Sequence, residues 1–215
     1  MPIRALTPFE NTVADAVVEL GNLKGWEFAA FLEAPSGPLL EFITRMLPGG
    51  ADPSNDILSR TAPENRVVIH HNHLSQESLS FPDWTGLTVF AEQTFAHCAD
   101  DTRYWGKVIN ETAVNNVLSK AHTVEINAEN FLFNILNNIS FSPLSAELAG
   151  FFRKEVANRA MKLRGYVEYE FFWGSRAVNP PPSSGRPAQT WSAGISGSSI
   201  CTRIDEAAAQ LASTL

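Results

Sequence analysis

The chain has 215 residues, 44% of them hydrophobic, with a formal net charge of −7 and a pI near 5.2. This length suffices for one sizeable core, and the acidic balance disfavours an electrostatic nucleic-acid-binding surface. No apolar stretch approaches the roughly 18 residues of a membrane span, and the first residues lack the apolar segment of a secretory signal. Cys98 and Cys201 form no CxxC pair, so we expect a reduced, cytoplasmic protein.

The first part of the chain predicts a helix followed by two paired strands. Thr12 begins a pattern typical of a capped helix start, and Gly21 and Gly25 mark its end. Residues 26–34 are mostly apolar and predict a buried strand. Residues 38–44 predict the return strand of a hairpin, because a Pro-Ser-Gly turn separates the two segments.

The middle of the chain predicts a strand, a helix and two further strands. Residues 67–71 are rich in β-branched side chains and run into a pair of histidines. Ser80, with a proline two residues later, is typical of a helix start, and that helix should reach about Phe90. Residues 94–98 and 104–109 predict two strands joined by a polar turn.

The last part of the chain predicts mainly helices. Residues 110–138 carry helical signals, and residues 142–165 show apolar side chains at intervals of four that end at a glycine. Residues 166–173 predict a final strand, and residues 180–185 a linker or turn rich in proline, serine and glycine. Residues 205–213 predict an alanine-rich terminal helix.

Strands interleaved with helices predict a mixed β-sheet flanked by helices, which is an α/β or α+β single domain. We place this domain at residues 1–175. Residues 176–215 are expected to form a Pro/Gly/Ser-rich linker and the C-terminal helix.

A possible metal site follows the strand at residues 67–71. His71 and His73 should project to the same side of the strand end, because residues i and i+2 face the same way. His70 should face the opposite side, where we expect packing, and His97 is expected to be isolated. Asp83 lies in the first turn of the next helix, so it can approach the strand end. Two imidazoles and one carboxylate leave a fourth position open, as in catalytic zinc sites.

A catalytic zinc site also requires a base that takes the proton from its water. Glu27 opens the strand at residues 26–34, where an unpaired carboxylate is costly to bury. Glu33 and Glu41 are rival candidates, but both flank the hairpin turn, where we expect solvent. We therefore predict that Glu27 is the base.

His71-x-His73 followed by Ser80 and Asp83, with Glu27 on an earlier strand, resembles the JAMM signature of the JAB/MPN metalloprotease family. The motif is most similar to RadC-like and to phage- or toxin-associated bacterial branches of that superfamily. Five chemically suitable positions occur in the family's order. The segment is therefore interpreted as a metal-binding site.

Three features differ from the usual family pattern. Ala30 stands where glycine is usual, Leu74 stands where proline is usual, and six residues separate the second histidine from the serine where many members have seven. None of these differences removes a metal-binding atom. The resemblance spans roughly residues 12–173 and implies the JAB/MPN, cytidine-deaminase-like architecture.

The resemblance implies that His71, His73 and Asp83 bind Zn2+ and that a water completes the coordination. Glu27 would act as general base on that water and later as proton donor to the leaving amine, while Ser80 would help to stabilise the oxyanion. The family hydrolyses amide bonds, including isopeptide bonds at the C-terminus of ubiquitin-like modifiers. The sequence thus predicts a zinc-dependent metallopeptidase or isopeptidase acting on a protein or peptide.

Other interpretations stay open. A RadC-like or phage-associated module could keep the metal site for binding or assembly without catalysis. Ser80 and Asp83 also suit helix capping and the helix dipole. An HNH nuclease is disfavoured because that motif spreads its residues through a hairpin, and because the chain is acidic.

Overall fold

The computed structural model describes residues 4–139, 143–174 and 197–215. These ranges contain seven α-helices, six strands and one short 3-10 helix. In chain order the elements are α1 (Pro8–Lys24), β1 (Phe28–Glu33), β2 (Leu39–Thr44), α2 (Asn55–Leu58), the 3-10 helix (Pro63–Asn65), β3 (Val67–Asn72), α3 (Phe81–Val89), β4 (Ala91–His97), β5 (Arg103–Val108), α4 (Glu111–Leu118), α5 (Ala121–Ile139), α6 (Pro143–Leu163), β6 (Val167–Phe172) and α7 (Gly197–Ala212).

The six strands form one mixed sheet in the order β2-β1-β3-β4-β5-β6. β3 and β4 are parallel and are connected through α3, whereas all other neighbouring strands are antiparallel. The predicted mixed α/β class is therefore confirmed. Ala29 of β1 pairs with His71 of β3, so the start of β1 lies beside the end of β3.

Helices cover the two faces of the sheet unequally. α1 packs on one face, where Val17 belongs to an apolar cluster with inward side chains of β1, β3 and β4, including Leu32 and Val68. α3 to α7, with Trp84 and Phe152, belong to a larger core that also includes inward side chains of β1 and β3 to β6. The sheet thus separates two apolar layers, and adjacent residues of β3 enter different layers.

The C-terminal helix belongs to the larger core. α7 packs against α5 and α6, with Ile204, Ala208 and Leu211 fully buried. The predicted terminal helix at residues 205–213 is therefore present and begins earlier than expected. The predicted linker at residues 180–185 lies outside the described residues.

The predicted start of α1 near Thr12 is wrong, because a capping box lies further upstream. Thr7 Oγ1 accepts a hydrogen bond from the Glu10 N–H, and the Glu10 side chain accepts one from the Thr7 N–H at 2.8 Å. The end of α1 agrees with the prediction, since Gly25 adopts the left-handed conformation with φ of 68°.

The ends of the six predicted strands agree with the structure to within about three residues, the usual uncertainty of element boundaries.

No helix in the described part of the chain is both long and apolar enough to cross a membrane.

Candidate metal centre

The side chains of His71, His73 and Asp83 converge at the end of β3. The two imidazole Nε2 atoms lie 2.9 Å apart. Asp83 Oδ1 lies 3.1 Å from Nε2 of His71, and Asp83 Oδ2 lies 3.7 Å from Nε2 of His73. Each residue offers a ligand atom within 4.8 Å of the others. Within the ranges the structure describes, no other group of three His, Cys, Asp or Glu residues meets this condition.

A hydrogen bond from the Nδ1 atom of His73 leaves the lone pair on its Nε2 atom, which faces His71 and Asp83. His73 Nδ1–H donates to the backbone carbonyl of Glu77 at 2.8 Å. A carbonyl oxygen can only accept, so in the neutral ring Nε2 carries the lone pair. Metal-binding histidines are commonly oriented by such a bond from their second nitrogen. His71 Nδ1 lies 3.5 Å from Thr94 Oγ1, which is a weaker contact.

The chemistry of these donors fits a divalent metal ion. Two imidazole nitrogens and one carboxylate form a ligand set that suits zinc. Their lone pairs face one small volume, so a proton or a cation between them is needed to offset the repulsion. His71, His73 and Asp83 could therefore hold a metal ion.

The charges of the three groups are strongly coupled. Burial and the positive charge of His71 lower the pKa of His73 to about 4. Burial also disfavours the charged form of His71, but the Asp83 carboxylate outweighs this and raises the pKa of His71. The raised pKa of His71 favours its cationic form, and a metal ion bound at its Nε2 would displace the additional proton.

Ser80 holds the Asp83 carboxylate in place at the start of α3. Both the N–H and the hydroxyl of Ser80 donate to Asp83 Oδ2 at 2.7 Å. Burial alone would raise the pKa of Asp83, but the two histidines and Ser80 hold it well below its usual range. The carboxylate is thus ionised and oriented toward the imidazoles.

Glu27 lines the same cavity as the three candidate ligands. This cavity has a volume of about 260 Å³ and is bounded by β1, β3, α3 and the loop at residues 49–53. The Glu27 N–H donates to the Leu47 carbonyl at 2.8 Å, and the Thr44 hydroxyl donates to the Glu27 carbonyl at 2.6 Å. Burial raises the pKa of Glu27 to about 7. A carboxylate with this pKa can accept and release a proton near neutral pH.

Asn72 fixes the backbone on both sides of Glu27. Its Oδ1 accepts from the Phe28 N–H at 2.7 Å, and its Nδ2 donates to the Trp26 carbonyl at 3.2 Å. Gly21 of α1 makes room for this side chain, since a Cβ there would collide with Asn72. Strand alternation places Asn72 on the face opposite His71, but no local pattern in the sequence indicates its contacts with the residues around Glu27.

The two rival carboxylates occupy other positions. Glu33 is exposed at the hairpin turn, as expected. Glu41 accepts hydrogen bonds from the backbone N–H and the hydroxyl of Ser54, so it anchors the end of the loop that borders the cavity. Asp52 of this loop also lines the cavity. No local pattern indicates a role for Asp52, because its Gly-Gly-Ala-Asp-Pro context predicts only a turn.

A second polar cluster lies on the other face of the sheet. His70 faces α1, as the strand alternation predicted, with its Nδ1 3.0 Å from His97 Nε2 and its Nε2 3.5 Å from Glu10 Oε1. The expectation that His97 is isolated is therefore wrong. Arg4 forms an ion pair with Glu10. Burial disfavours a charged Glu10, but bonds from His70 and Arg4 outweigh this and hold the pKa of Glu10 well below its usual range.

No protein-family model, curated protein or solved structure matches this chain. The resemblance to the JAMM signature therefore rests on the motif residues themselves, and the interpretation of the site rests on its geometry.

Proposed function

We propose that this chain is a zinc-dependent hydrolase of amide bonds, with the JAB/MPN architecture and the JAMM-type site that its sequence resembles. One observation carries the proposal. The ligand atoms of His71, His73 and Asp83 converge in a cavity that Glu27 also lines, and the Glu27 carboxyl interacts electrostatically with His71 and Asp83. Three ligands with an acid beside them form the arrangement expected of a catalytic metal site.

In this proposal His71, His73 and Asp83 hold a Zn2+ ion. The ion supplies, when bound, a Lewis acid that makes a water molecule acidic enough to lose its proton near neutral pH. Glu27 accepts that proton and later delivers it to the leaving amine. The burial of Glu27 supports this role, since a pKa of about 7 favours transfer in both directions.

Ser80 has two parts in the proposal. Its hydroxyl orients Asp83, because it donates to the carboxylate oxygen at 2.7 Å. Ser80 also lines the cavity, so rotation about its Cβ–Oγ bond redirects the hydroxyl proton toward a developing oxyanion. We propose that Ser80 stabilises this oxyanion during amide hydrolysis.

The proposed substrate is a protein or peptide. The family resemblance suggests the C-terminal tail of a ubiquitin-like modifier. The test compares zinc-loaded and chelator-treated protein on ubiquitin-like fusions and on a broad peptide library, with cleavage read by mass spectrometry. We expect cleavage only by the zinc-loaded form.

Glu27→Gln tests the assigned base. We expect this variant to bind zinc as the wild type does and to lose about 100-fold or more in kcat, the scale of general acid–base catalysis. Glu33→Gln is the matched control, because Glu33 is an exposed carboxylate at the other end of β1. Full activity in Glu27→Gln would contradict the assignment.

Zinc binding and substrate cleavage, measured together, distinguish the hydrolase from the second candidate function. A chain that binds one zinc ion through the three ligands but cleaves no substrate would be a RadC-like or phage-associated binding or assembly module. A chain that binds no zinc would contradict both candidates.

A further inference from the structure

An apolar cleft leads away from the candidate metal ligands along the sheet. In β3, Ile69 lies two residues before His71, on the same face and about 7 Å away along the strand. In β1, Ala29 pairs with His71 and Phe31 pairs with Ile69. Moving from the metal ligands into the cavity, both strands therefore change from polar to apolar side chains.

Helix α3 continues this change on the opposite wall. Gly86 follows Asp83 by about one helical turn, and Phe90 follows Gly86 by another. A Cβ at Gly86 would lie 3.3 Å from Cζ of Phe90 and 3.7 Å from Cδ1 of Ile69. The rings of Phe31 and Phe90 lie 6.3 Å apart between centroids. Gly86 thus lets the Phe90 ring pack closely against the helix, and the apolar side chains of Phe31, Ile69 and Phe90 lie together at one end of the cavity.

We name this end of the cavity the apolar slot and define it by Phe31, Ile69, Gly86 and Phe90, all of which line the same cavity as the metal ligands. The whole cavity measures about 260 Å³. An engineered apolar cavity of about 150 Å³ already binds benzene. The cavity therefore has room for one branched or aromatic side chain together with part of a peptide backbone.

The apolar side chains of the slot and the candidate metal ligands line the same cavity. An apolar ligand group placed at the slot would leave water and gain dispersion contacts with these side chains.

We propose that the apolar slot binds the side chain of the substrate residue next to the scissile amide, so that the preferred substrates carry a branched or aromatic residue at that position. This inference rests on the proposed hydrolase function, because the slot can select substrates only if the adjacent metal ligands form a catalytic site. The polar end of the cavity holds the amide, and the apolar end selects its neighbour.

Two zinc-binding probes with different tails test the slot. The affinities of the zinc-loaded full chain for acetohydroxamate and hexanohydroxamate are measured by titration calorimetry. Each buried methylene contributes about fourfold in affinity, so we expect hexanohydroxamate to bind at least about tenfold more tightly. Equal affinities for the two probes in the wild-type protein would overturn the proposal.

Gly86→Leu should fill the slot and remove the preference for the longer tail. Thr85→Leu is the matched control, because Thr85 lies on the exposed side of the same helix, and it should keep the preference. An unchanged preference in Gly86→Leu would also overturn the proposal.

A metal-independent measurement distinguishes failure of the slot from failure of the proposed function. Metal-free protein with a 13C-labelled Ile69 δ1 methyl group is titrated with benzene. We expect a saturable shift of this signal in the wild type and none in Gly86→Leu. No saturable shift in the wild type would reject the slot, whereas a normal shift combined with no zinc binding would reject only the hydrolase.

Discussion

Two adjacent histidines of β3 enter clusters of the same composition on opposite faces of the sheet. On the α3 side, His71 meets His73 and Asp83. On the α1 side, His70 meets His97 and Glu10. Each cluster contains two imidazoles and one carboxylate, but only the first brings a ligand atom from each member close enough to share an ion.

The difference lies in the countercharge that each cluster already has. Glu10 is fully buried, is paired with the Arg4 guanidinium and accepts the Thr7 N–H. Asp83 accepts hydrogen bonds from Ser80 and His71, and has no guanidinium or ammonium partner among the described residues. Residue types alone therefore do not define a metal site. A carboxylate whose positive partner is an imidazolium can exchange that proton for a metal ion from solution.

The largest difference between the two clusters should be seen in how zinc changes the free energy of unfolding. At a free concentration about 1,000 times its Kd, zinc should add about 4 kcal/mol to the free energy of unfolding. His73→Ala should abolish this gain. His97→Ala, the corresponding change on the α1 side, should lower stability but keep the gain. Denaturant unfolding with and without zinc measures both, and the reverse pattern would contradict the assignment.

The next largest effect should come from removing the countercharge of Glu10. Arg4→Ala leaves a buried carboxylate without its ion-pair partner, which should cost about 3 kcal/mol of unfolding free energy. Zinc affinity should not change. Arg203→Ala breaks a partly exposed ion pair with Glu206 and serves as the control, with an expected cost below about 1 kcal/mol. A comparable loss in both variants would contradict a special role for Arg4.

The smallest of the three effects should be a pH-dependent increase in the free energy of unfolding, caused by Glu27→Gln in metal-free protein. The pKa of Glu27 is raised from 4.5 to about 7 in the folded chain. The native state therefore binds the proton of the Glu27 carboxyl group more tightly than the unfolded state does. The resulting stabilisation is complete below about pH 4.5 and is lost as the pH rises through about 7. The full pKa shift corresponds to about 3 kcal/mol, and partial screening by solvent lowers this value because Glu27 is only partly buried. At pH 8 the neutral glutamine should therefore stabilise the fold by about 2 kcal/mol, and at pH 4 it should have little effect.

Denaturant unfolding at both pH values, in the presence of a chelator, measures this gain. Glu33→Gln is the control, since Glu33 is exposed. A gain that is equal at pH 4 and pH 8 would show that it does not come from the Glu27 charge.

The candidate ligands could be predicted from the sequence because their placement depends on local rules. The alternation of a strand separates His71 and His73 from His70, and the helix start after Ser80 brings Asp83 near the strand end. The same local rules predicted the end of α1 and the hairpin. They misplaced the start of α1, because Thr7 and Thr12 are each followed three residues later by an acid, and the helix begins with the Thr7–Glu10 capping box.

The remaining features depend on contacts between distant parts of the chain. The pairing of Glu10 with His70 joins residues 60 positions apart across the α1–β3 interface. The anchoring of Glu27 by Asn72 likewise requires the register of β1 against β3. No local pattern contains this information, so these residues were visible only in the folded chain.

A crystal structure of zinc-soaked protein, with anomalous scattering recorded on both sides of the zinc edge, tests the central claim most directly. We expect one strong anomalous peak within about 2.0–2.2 Å of Nε2 of His71, Nε2 of His73 and an oxygen of Asp83. The absence of a peak at these three residues under saturating zinc, or a peak held by other side chains, would contradict the account.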